Sequence, residues 1–207
     1  MNYSDGDRQY APATQRNRQP ILTVLNRILP SAGNILEIAS GTGEHASFFA
    51  PRLTPRHWIP SDQEAFLRQS IAAWREFVNA ENLSLPLSID ARDKIWQIEV
   101  LGIPIVAIVN INMIHISPWS ACLGLMAGAE RILPKDGILY LYGPFIEKDK
   151  EAAPSNLAFD ASLRSQNPEW GVRSLEKVVT IANESGLRLK QTVEMPANNL
   201  SIVFEKL

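Results

Sequence analysis

A short apolar run that leads into a glycine-rich turn constrains the fold of this chain more than any other feature. Residues 34–46 read Asn-Ile-Leu-Glu-Ile-Ala-Ser-Gly-Thr-Gly-Glu-His-Ala. The run is typical of a buried parallel strand, and the segment from Glu44 onward is compatible with a helix. Gly41 and Gly43 can adopt backbone angles that other residues disfavour, and they allow a ligand to approach the main chain. The stretch therefore predicts a strand, a tight turn and a helix. Glycines that serve turn geometry alone are the alternative to ligand binding.

The charged residue within the apolar run is Glu37. An acid inside a buried strand is costly unless it has a partner. Glu37 lies four residues before Gly41, at the carboxyl end of the predicted strand, where open α/β sheets bind ligands. Its position favours a ligand site at the turn over turn geometry alone.

A second acidic residue follows the next predicted strand, residues 57–60. Asp62 lies 19 residues after Gly43, at the position that binds a pair of ribose hydroxyls in dinucleotide sites. A carboxylate suits this task because it can accept two hydroxyl hydrogen bonds at once. The alternative is that Asp62 caps the amphipathic helix predicted over residues 65–80, whose inward face would include Phe66 and Phe77.

The composition is that of an ordinary globular protein. The chain has 207 residues, of which 45 % are hydrophobic and 20 % charged, and its formal charge is −2. This length suits one domain over residues 1–207, and the charge gives no support for broad nucleic-acid binding. The most apolar stretch, residues 100–116, is short for a membrane helix. The single cysteine, Cys122, has apolar neighbours that predict burial, and the absence of an internal disulfide fits a cytoplasmic location.

Polar side chains gather at the predicted carboxyl end of the strand over residues 103–111. The segment from Asn110 to Trp119 brings two amides, an imidazole and an indole to this edge of the sheet. Asn112 and His115 are therefore candidate catalytic residues, and His115 is the candidate general base. The alternative is that His115 is a satisfied structural histidine.

Two segments outside the strands are expected to form the mouth of a cleft at the same edge. The first is an N-terminal arm, residues 1–18, which precedes a helix predicted over residues 21–29. The second is the long polar connection of residues 143–173, which contains a helix predicted over residues 156–164. Ser174 is expected to cap the next helix, and the chain then ends in an antiparallel strand pair.

The frame Glu-x-Ala-x-Gly-x-Gly at residues 37–43 resembles motif I of the class I methyltransferases, which use S-adenosylmethionine (SAM). Ala39 departs from that family, which commonly has glycine there. The resemblance implies that Glu37 supports the turn and the amino end of SAM, while the turn backbone packs against the cofactor. It also implies that Asp62 binds the ribose and that Asp90, after a strand-like run over residues 85–89, contacts adenine. A turn-forming role is the alternative for Asp90. The cofactor-binding residues that we assign are Glu37, Ala39, Ser40, Gly41, Thr42, Gly43, His45, Asp62, Gln63, Asp90, Ala91, Asn110 and Ile111, and we assign no metal ligands.

The order of the predicted elements extends this resemblance over residues 35–207. Five strand–helix units and a C-terminal hairpin are similar to the class I methyltransferase fold. The fold class implied is α/β, with a Rossmann-like, seven-stranded, mostly parallel sheet and helices on both faces. Three segments, residues 10–21, 37–45 and 110–119, are more specifically similar to the methyltransferase-like 26 family. That family has no established acceptor, so the resemblance implies a fold and a cofactor more than a reaction.

The function that the resemblance implies is methyl transfer from SAM to a small-molecule acceptor. We predict that the acceptor pocket lies between the N-terminal arm and the connection of residues 143–173, above His115. Arginines in such a mouth would favour an anionic acceptor. The alternative is that they pair with Asp160 and Glu169 and fix the loops. The substrate-binding residues that we assign are Tyr10, Arg16, Asn17, Arg164, Trp170 and Arg173.

Two further functions are compatible with the sequence. Residues 41–46 also satisfy the pattern Gly-x-Gly-x-x-Ala, and Asp62 would serve an NAD-dependent oxidoreductase equally well. Glu37 and the terminal hairpin disfavour that enzyme. A non-catalytic binding module would keep the fold and lack a substrate motif, and the sequence contains no recognised substrate motif.

Overall fold

A seven-stranded, mostly parallel sheet forms the centre of the molecule, as predicted. The structure is a computed structural model; it describes residues 5–207, with side chains from residue 6 onward, so residues 1–4 of the expected arm lie outside the described residues. The strands are β1 (Asn34–Ile38), β2 (His57–Pro60), β3 (Ala107–Ile111), β4 (Ile138–Ile146), β5 (Arg173–Ser174), β6 (Leu187–Met195) and β7 (Asn199–Lys206). They lie in the order β2-β1-β3-β4-β7-β6, and β5 pairs with the end of β4. β7 is antiparallel to β4 and β6, and the other pairs are parallel.

Helices cover both faces of this sheet and create two apolar cores. The described α-helices are α1 (Pro12–Ile28), α2 (Glu44–Phe49), α3 (Ala65–Val78), α4 (Gln97–Val100), α5 (Trp119–Ile132), α6 (Pro154–Gln166) and α7 (Leu175–Glu184). On one face, α1 and α2 pack against strand residues such as Ile35 and Val109. On the other face, α5 and α7 pack against their strand neighbours Leu36 and Ile108. This division follows because successive side chains of a strand point to opposite faces.

The turn between β1 and α2 uses its two glycines for different purposes. Gly41 and Gly43 both have positive φ, +57° and +91°. A Cβ atom at residue 43 would lie 2.8 Å from the Cα atom of Ile71, so this glycine allows α3 to pack against the turn. A Cβ atom at residue 41 would meet nothing within 4 Å, so the main chain there is open. Ala39, where the resembling methyltransferases commonly have glycine, also adopts positive φ, +57°.

The strand-like run over residues 85–89 is not a strand in the structure. The Ser84 N–H donates to the carbonyl of Trp58, and a regular ladder would continue with a bond from residue 86 to Pro60. Residue 86 is proline and has no N–H, so Leu87 donates to Pro60 instead, at 2.9 Å. The chain therefore runs beside β2 through two isolated bridges, Leu83 with Trp58 and Leu87 with Ser61, rather than a continuous ladder.

The prediction that Phe66 and Phe77 face inward on α3 is also wrong. Their side chains are 53 % and 63 % exposed. The helix packs instead through small residues around Ile71, because the glycine turn approaches it too closely for large side chains. Phe77 contacts Trp74 edge to face, with Arg8 over its ring.

The remaining elements follow the sequence closely. The hydroxyl of Ser174 accepts a hydrogen bond from the Lys177 N–H at the start of α7, which confirms the predicted cap. β6 and β7 form the predicted hairpin, and Cys122 is buried on α5. The arm differs from the prediction because α1 already begins at Pro12. None of the described helices combines the length and the apolar character that crossing a membrane requires.

Candidate active site

A cleft of about 490 Å³, the main cleft, lies at the carboxyl edge of the sheet. The turn after β1, the end of β2, residues 89–92 and the end of β3 form its walls. The predicted cofactor-binding residues that line it are Ala39, Gly41, Asp62, Gln63, Asp90, Ala91 and Ile111. These residues are far apart in sequence, and the parallel strands bring them together because their carboxyl ends share one edge.

Asp62 connects the glycine turn to the start of α3. One carboxylate oxygen accepts a hydrogen bond from the Gly41 N–H at 3.0 Å, and the other accepts one from the Glu64 N–H at 3.0 Å. Burial raises the pKa of Asp62, and these two backbone hydrogen bonds oppose the rise. Each carboxylate oxygen has a second lone pair, so the group can hold the turn and still accept hydroxyl hydrogen bonds from a ligand.

Asp90 is already paired in the structure. Arg92 forks onto its carboxylate, with Nη2 2.6 Å from one oxygen and Nε 3.0 Å from the other. This hydrogen bonding lowers the pKa of Asp90. Both side chains line the main cleft, so a ligand amino group at Asp90 would meet a carboxylate that a guanidinium already orients.

Glu37 lies behind the turn rather than in the cleft. Its carboxylate accepts a hydrogen bond from the indole Nε1 of Trp58 at 3.0 Å, and its backbone carbonyl accepts one from the Ser61 hydroxyl at 2.7 Å. The residue is 1 % exposed, and this burial raises its pKa to about 7. Glu37 therefore joins β1 to β2 and supports the turn from below.

Five further predicted cofactor residues also support the turn without lining the main cleft. They are Ser40, Thr42, Gly43, His45 and Asn110. Ser40 accepts a hydrogen bond from the Ser61 N–H at 3.1 Å, the Thr42 carbonyl accepts one from Ser70 at 2.7 Å, and Asn110 donates to the Ile38 carbonyl at 2.9 Å. The imidazole of His45 lies 2.8 Å from the Asn17 side-chain oxygen, and burial lowers its pKa to about 4.

The structure does not place His115 where a general base would act. The side chain has no exposed surface, does not line the main cleft, and packs edge to face on Phe145 with ring centroids 5.0 Å apart. Neither ring nitrogen has a hydrogen-bond partner among the described residues. Burial, with a smaller effect of Arg173, lowers the pKa of His115 to about 3. This enclosure favours the structural alternative for His115, and its role as a general base stays a prediction.

The six predicted substrate-binding residues are distributed over different surfaces. Trp170 lines the main cleft. Arg16 and Asn17 line a second cleft together with the predicted catalytic residue Asn112. Tyr10 packs edge to face on Trp74, with ring centroids 5.1 Å apart, on the surface of α3.

The two arginines of the connection contact loop residues, and of the ion pairs in the structural alternative the one with Asp160 is present and the one with Glu169 is not among the described residues. Arg164 pairs with Asp160 at 2.7 Å. Arg173 donates to three backbone carbonyls, those of Ile114, Ser117 and Glu169, at 2.8 to 2.9 Å. Its partners are main-chain groups, which is why no acidic pattern in the sequence indicated them.

Several residues that line the main cleft were missed in the sequence. Glu64 and Arg92 each lie two residues after a predicted site acid, so the polar clusters at 62–64 and 90–92 were available signals. The apolar lining residues Leu67, Met113 and Ile116 carried no such signal, because an apolar residue after a strand is more often part of the core.

Comparisons with known proteins agree with this architecture. A family model described as "Protein of unknown function (DUF938)" matches residues 8–206. An O-methyltransferase family protein from Burkholderia thailandensis superposes with a TM-score of 0.77 at 12 % identity, covering 94 % of this chain and 57 % of the other. Human N-acetylserotonin methyltransferase in complex with SAM superposes with a TM-score of 0.76 at 14 % identity, and the match covers 94 % of this chain and 52 % of that protein.

A third solved structure, an O-methyltransferase family 2 protein from Planctomyces limnophilus in complex with apigenin, gives a TM-score of 0.75 at 19 % identity. The match covers 94 % of this chain and 60 % of that protein. The chain thus spans just over half the length of the solved structures that it matches. At these identities the likeness shows a shared fold, and the class I methyltransferase fold is the one shared.

Proposed function

The chain belongs to the family described as protein of unknown function DUF938, and we propose that it is a SAM-dependent methyltransferase acting on a small molecule. The observation that carries this proposal is the pairing of Gly41 and Asp62 at the ends of adjacent strands. The Gly41 main chain faces open space, and the Asp62 carboxylate that binds its N–H faces the same cleft. A close main-chain approach beside a hydroxyl acceptor is what a nucleoside with a charged tail requires.

The lining of the main cleft fits SAM in its donors and acceptors. Asp62 would bind the ribose hydroxyls, and Asp90, Ala91 and Arg92 would meet the adenine. The apolar side chains of Leu67 and Met113, with Trp170 from the connection, would enclose the adenine ring of SAM. Apolar and aromatic walls are typical of sites that bind such rings. SAM when bound would supply a methyl group already activated by its sulfonium, so this chain's residues mainly align an acceptor and exclude water.

The fold likeness supports the same proposal. Proteins named as methyltransferases superpose on 94 % of this chain, one in complex with SAM and one in a form bound to S-adenosylhomocysteine. The similarity to the methyltransferase-like 26 family and a cytoplasmic location, which the single buried Cys122 favours, are parts of the proposal. An NAD-dependent oxidoreductase and a non-catalytic binding module are the rival functions.

Calorimetric titration of the protein with SAM, S-adenosylhomocysteine and NAD tests the proposal. We expect SAM and S-adenosylhomocysteine to bind, and we expect no binding of NAD. In Asp62→Asn the affinity for SAM should fall by a factor that corresponds to about 1–3 kcal/mol, the scale of hydrogen bonds to a charged group. Asp136→Asn is the matched control, because Asp136 is exposed in a turn at positive φ, where asparagine is tolerated.

Two results would contradict the proposal. Binding of NAD without binding of SAM would favour the oxidoreductase. Equal loss of affinity in Asp62→Asn and Asp136→Asn would remove Asp62 from the site. Thermal unfolding of each variant separates a loss of ligand contacts from a loss of the turn that Asp62 holds.

A further inference from the structure

A second cleft, of about 380 Å³, opens where α1 meets the connection of residues 143–173. Arg16 and Asn17 of α1 form one wall. Asn112, directly after β3, and Tyr142, in the middle of β4 and opposite Ile111, also line the cleft. α6 and the β6–β7 turn close the far side. The second cleft therefore occupies the place where the two mouth segments come together.

The second cleft and the main cleft share the end of β3. Asn112 lines the second cleft, while its neighbours Ile111 and Met113 line the main cleft. The backbone of Asn112 has positive φ, +63°, and its N–H is held by the Tyr142 carbonyl at 2.8 Å. Three successive residues of one short segment therefore contribute to both clefts.

The lining of the second cleft contains one charged group, a cation. Arg16 is exposed and has no ion-pair partner among the described residues. The lining includes no aspartate, glutamate, histidine, lysine or cysteine. The Asn112 side chain likewise has no hydrogen-bond partner within the described part of the chain. An unpaired guanidinium beside neutral donors is suited to a carboxylate.

The phenol of Tyr142 adds a second neutral donor. Burial lowers the pKa of His45 to about 4, so its imidazole is neutral and, as a neutral ring with a proton on Nε2, donates to the Asn17 side-chain oxygen at 2.8 Å. The Asn17 amide then keeps its N–H groups for the neighbouring Tyr142 oxygen, and this side chain opposes the rise in the pKa of Tyr142. Burial raises the pKa of Tyr142, so the phenol keeps its proton and can donate it to a ligand.

No side chain of the second cleft can remove a proton from an acceptor near neutral pH. His45 lies behind Asn17, and His115 is enclosed beneath Gly143. An acceptor in this cleft must therefore bring a nucleophilic atom that needs no deprotonation, and the unpaired Arg16 favours an anionic one. A carboxylate meets this condition, whereas an alcohol or a phenol would need a base.

We propose, resting on the function proposed above, that the second cleft binds a small carboxylic acid and that the product is its methyl ester. A carboxylate oxygen forms a bond to the methyl carbon of SAM, the carbon–sulfur bond breaks, and its electron pair remains on sulfur. The carboxylate charge and the sulfonium charge cancel, and no proton is transferred. Arg16, Asn112 and Tyr142 bind and orient the acid.

Binding of the acid tests the assignment without any turnover. Benzoate and butyrate, with benzamide and butyramide as neutral counterparts, are titrated by calorimetry in the presence and absence of S-adenosylhomocysteine. We expect the acids to bind and Arg16→Gln to weaken them at least tenfold, with the affinity for SAM unchanged. Arg27→Gln is the matched control, because Arg27 is exposed in the last turn of the same helix and outside the cleft. Equal affinities in the two variants, or no binding of either acid, would overturn the assignment.

The nature of the product tests the reaction. The protein is incubated with radiolabelled methyl SAM and either benzoate or its hydroxyl counterparts, phenol and benzyl alcohol. A methyl ester releases volatile methanol in mild alkali, and a methyl ether does not. Labelled methanol from the benzoate reaction supports the proposal. Alkali-stable product from the hydroxyl compounds, with none from benzoate, would overturn it.

The two proposals fail in different ways. If the protein does not bind SAM but binds benzoate in an Arg16-dependent manner, the methyltransferase function fails and the carboxylate site stands. If the protein binds SAM but neither acid binds, the carboxylate site fails and the methyltransferase function stands.

Discussion

Glu37 and Trp58 form a buried hydrogen bond between adjacent strands, with the indole Nε1 3.0 Å from the carboxylate. Burial raises the pKa of Glu37 to about 7, from the ordinary value of 4.5. Below pH 4.5 the group is protonated in both the folded and the unfolded state, and its contribution to stability is fully present. As the pH rises to 7, the unfolded state loses its proton first, so stability falls.

At about 1.4 kcal/mol per pKa unit, the wild type should lose about 3 kcal/mol of folding stability between pH 4.5 and 7. We predict that Glu37→Gln does not show this loss, because glutamine does not ionise. The variant should resemble the wild type at pH 4 and be more stable at pH 8. Urea denaturation at several pH values measures this difference. Glu130→Gln, at an exposed position on α5, should not change the pH profile. A wild type and Glu37→Gln with parallel profiles would contradict the raised pKa.

The two glycines of the turn should respond differently to alanine. In Gly43→Ala the new Cβ would lie 2.8 Å from the Ile71 Cα at positive φ, so we expect a loss of about 2–4 kcal/mol of stability. In Gly41→Ala the Cβ meets open space, and only the positive φ costs, about 1–2 kcal/mol. Gly41→Ala should instead weaken SAM binding, because its methyl group enters the main cleft. Thermal unfolding and calorimetry measure the two effects, and the reverse order of stabilities would refute the packing role of Gly43.

His115 should contribute to the acid lability of the protein and not to catalysis. Burial lowers its pKa to about 3 from 6.5, so the unfolded state binds the proton more tightly between these values. Stability is present above pH 6.5 and is lost as the pH falls toward 3, by up to about 5 kcal/mol. His115→Leu should remove this loss and keep methyl transfer and SAM binding. Loss of transfer with unchanged SAM affinity and unchanged stability would restore His115 as a base.

The two arginines of the connection should differ in their contribution to stability. Arg173 is half-buried and donates to three backbone carbonyls, so Arg173→Gln should lower stability by about 1–3 kcal/mol. Arg164 forms an ion pair with Asp160 in which its side chain is 52 % exposed, so Arg164→Gln should cost less than about 1 kcal/mol. Chemical denaturation of both variants tests this order. Equal effects would indicate that the carbonyl contacts of Arg173 contribute little.

Some features of the site depend only on residues that are close together in the sequence, and these could be predicted. Asp62 and Asp90 lie in the main cleft as expected, because each comes directly after a segment that runs along the sheet and must end at its carboxyl edge. The failure at residues 85–89 was also a local matter, since Pro86 cannot donate the bond that a regular ladder needs. The sequence correctly associated Glu37 and His45 with the glycine turn. In the structure, however, both side chains lie on the buried side of that turn and not in the cleft.

The sequence by itself determined the parallel α/β sheet, the turn at residues 39–43 and the acids at successive strand ends, because periodicity and spacing act over a few residues. Only the tertiary structure decided which side chains face a cleft. Ala39 and Asn112 have positive φ, so alternation along a strand no longer predicts direction beyond its end. His115 is enclosed beneath Gly143. Arg173 donates to three carbonyls, and two of them belong to residues more than 50 positions away in the sequence. Such partners are main-chain atoms distant in sequence, and packing alone brings them together.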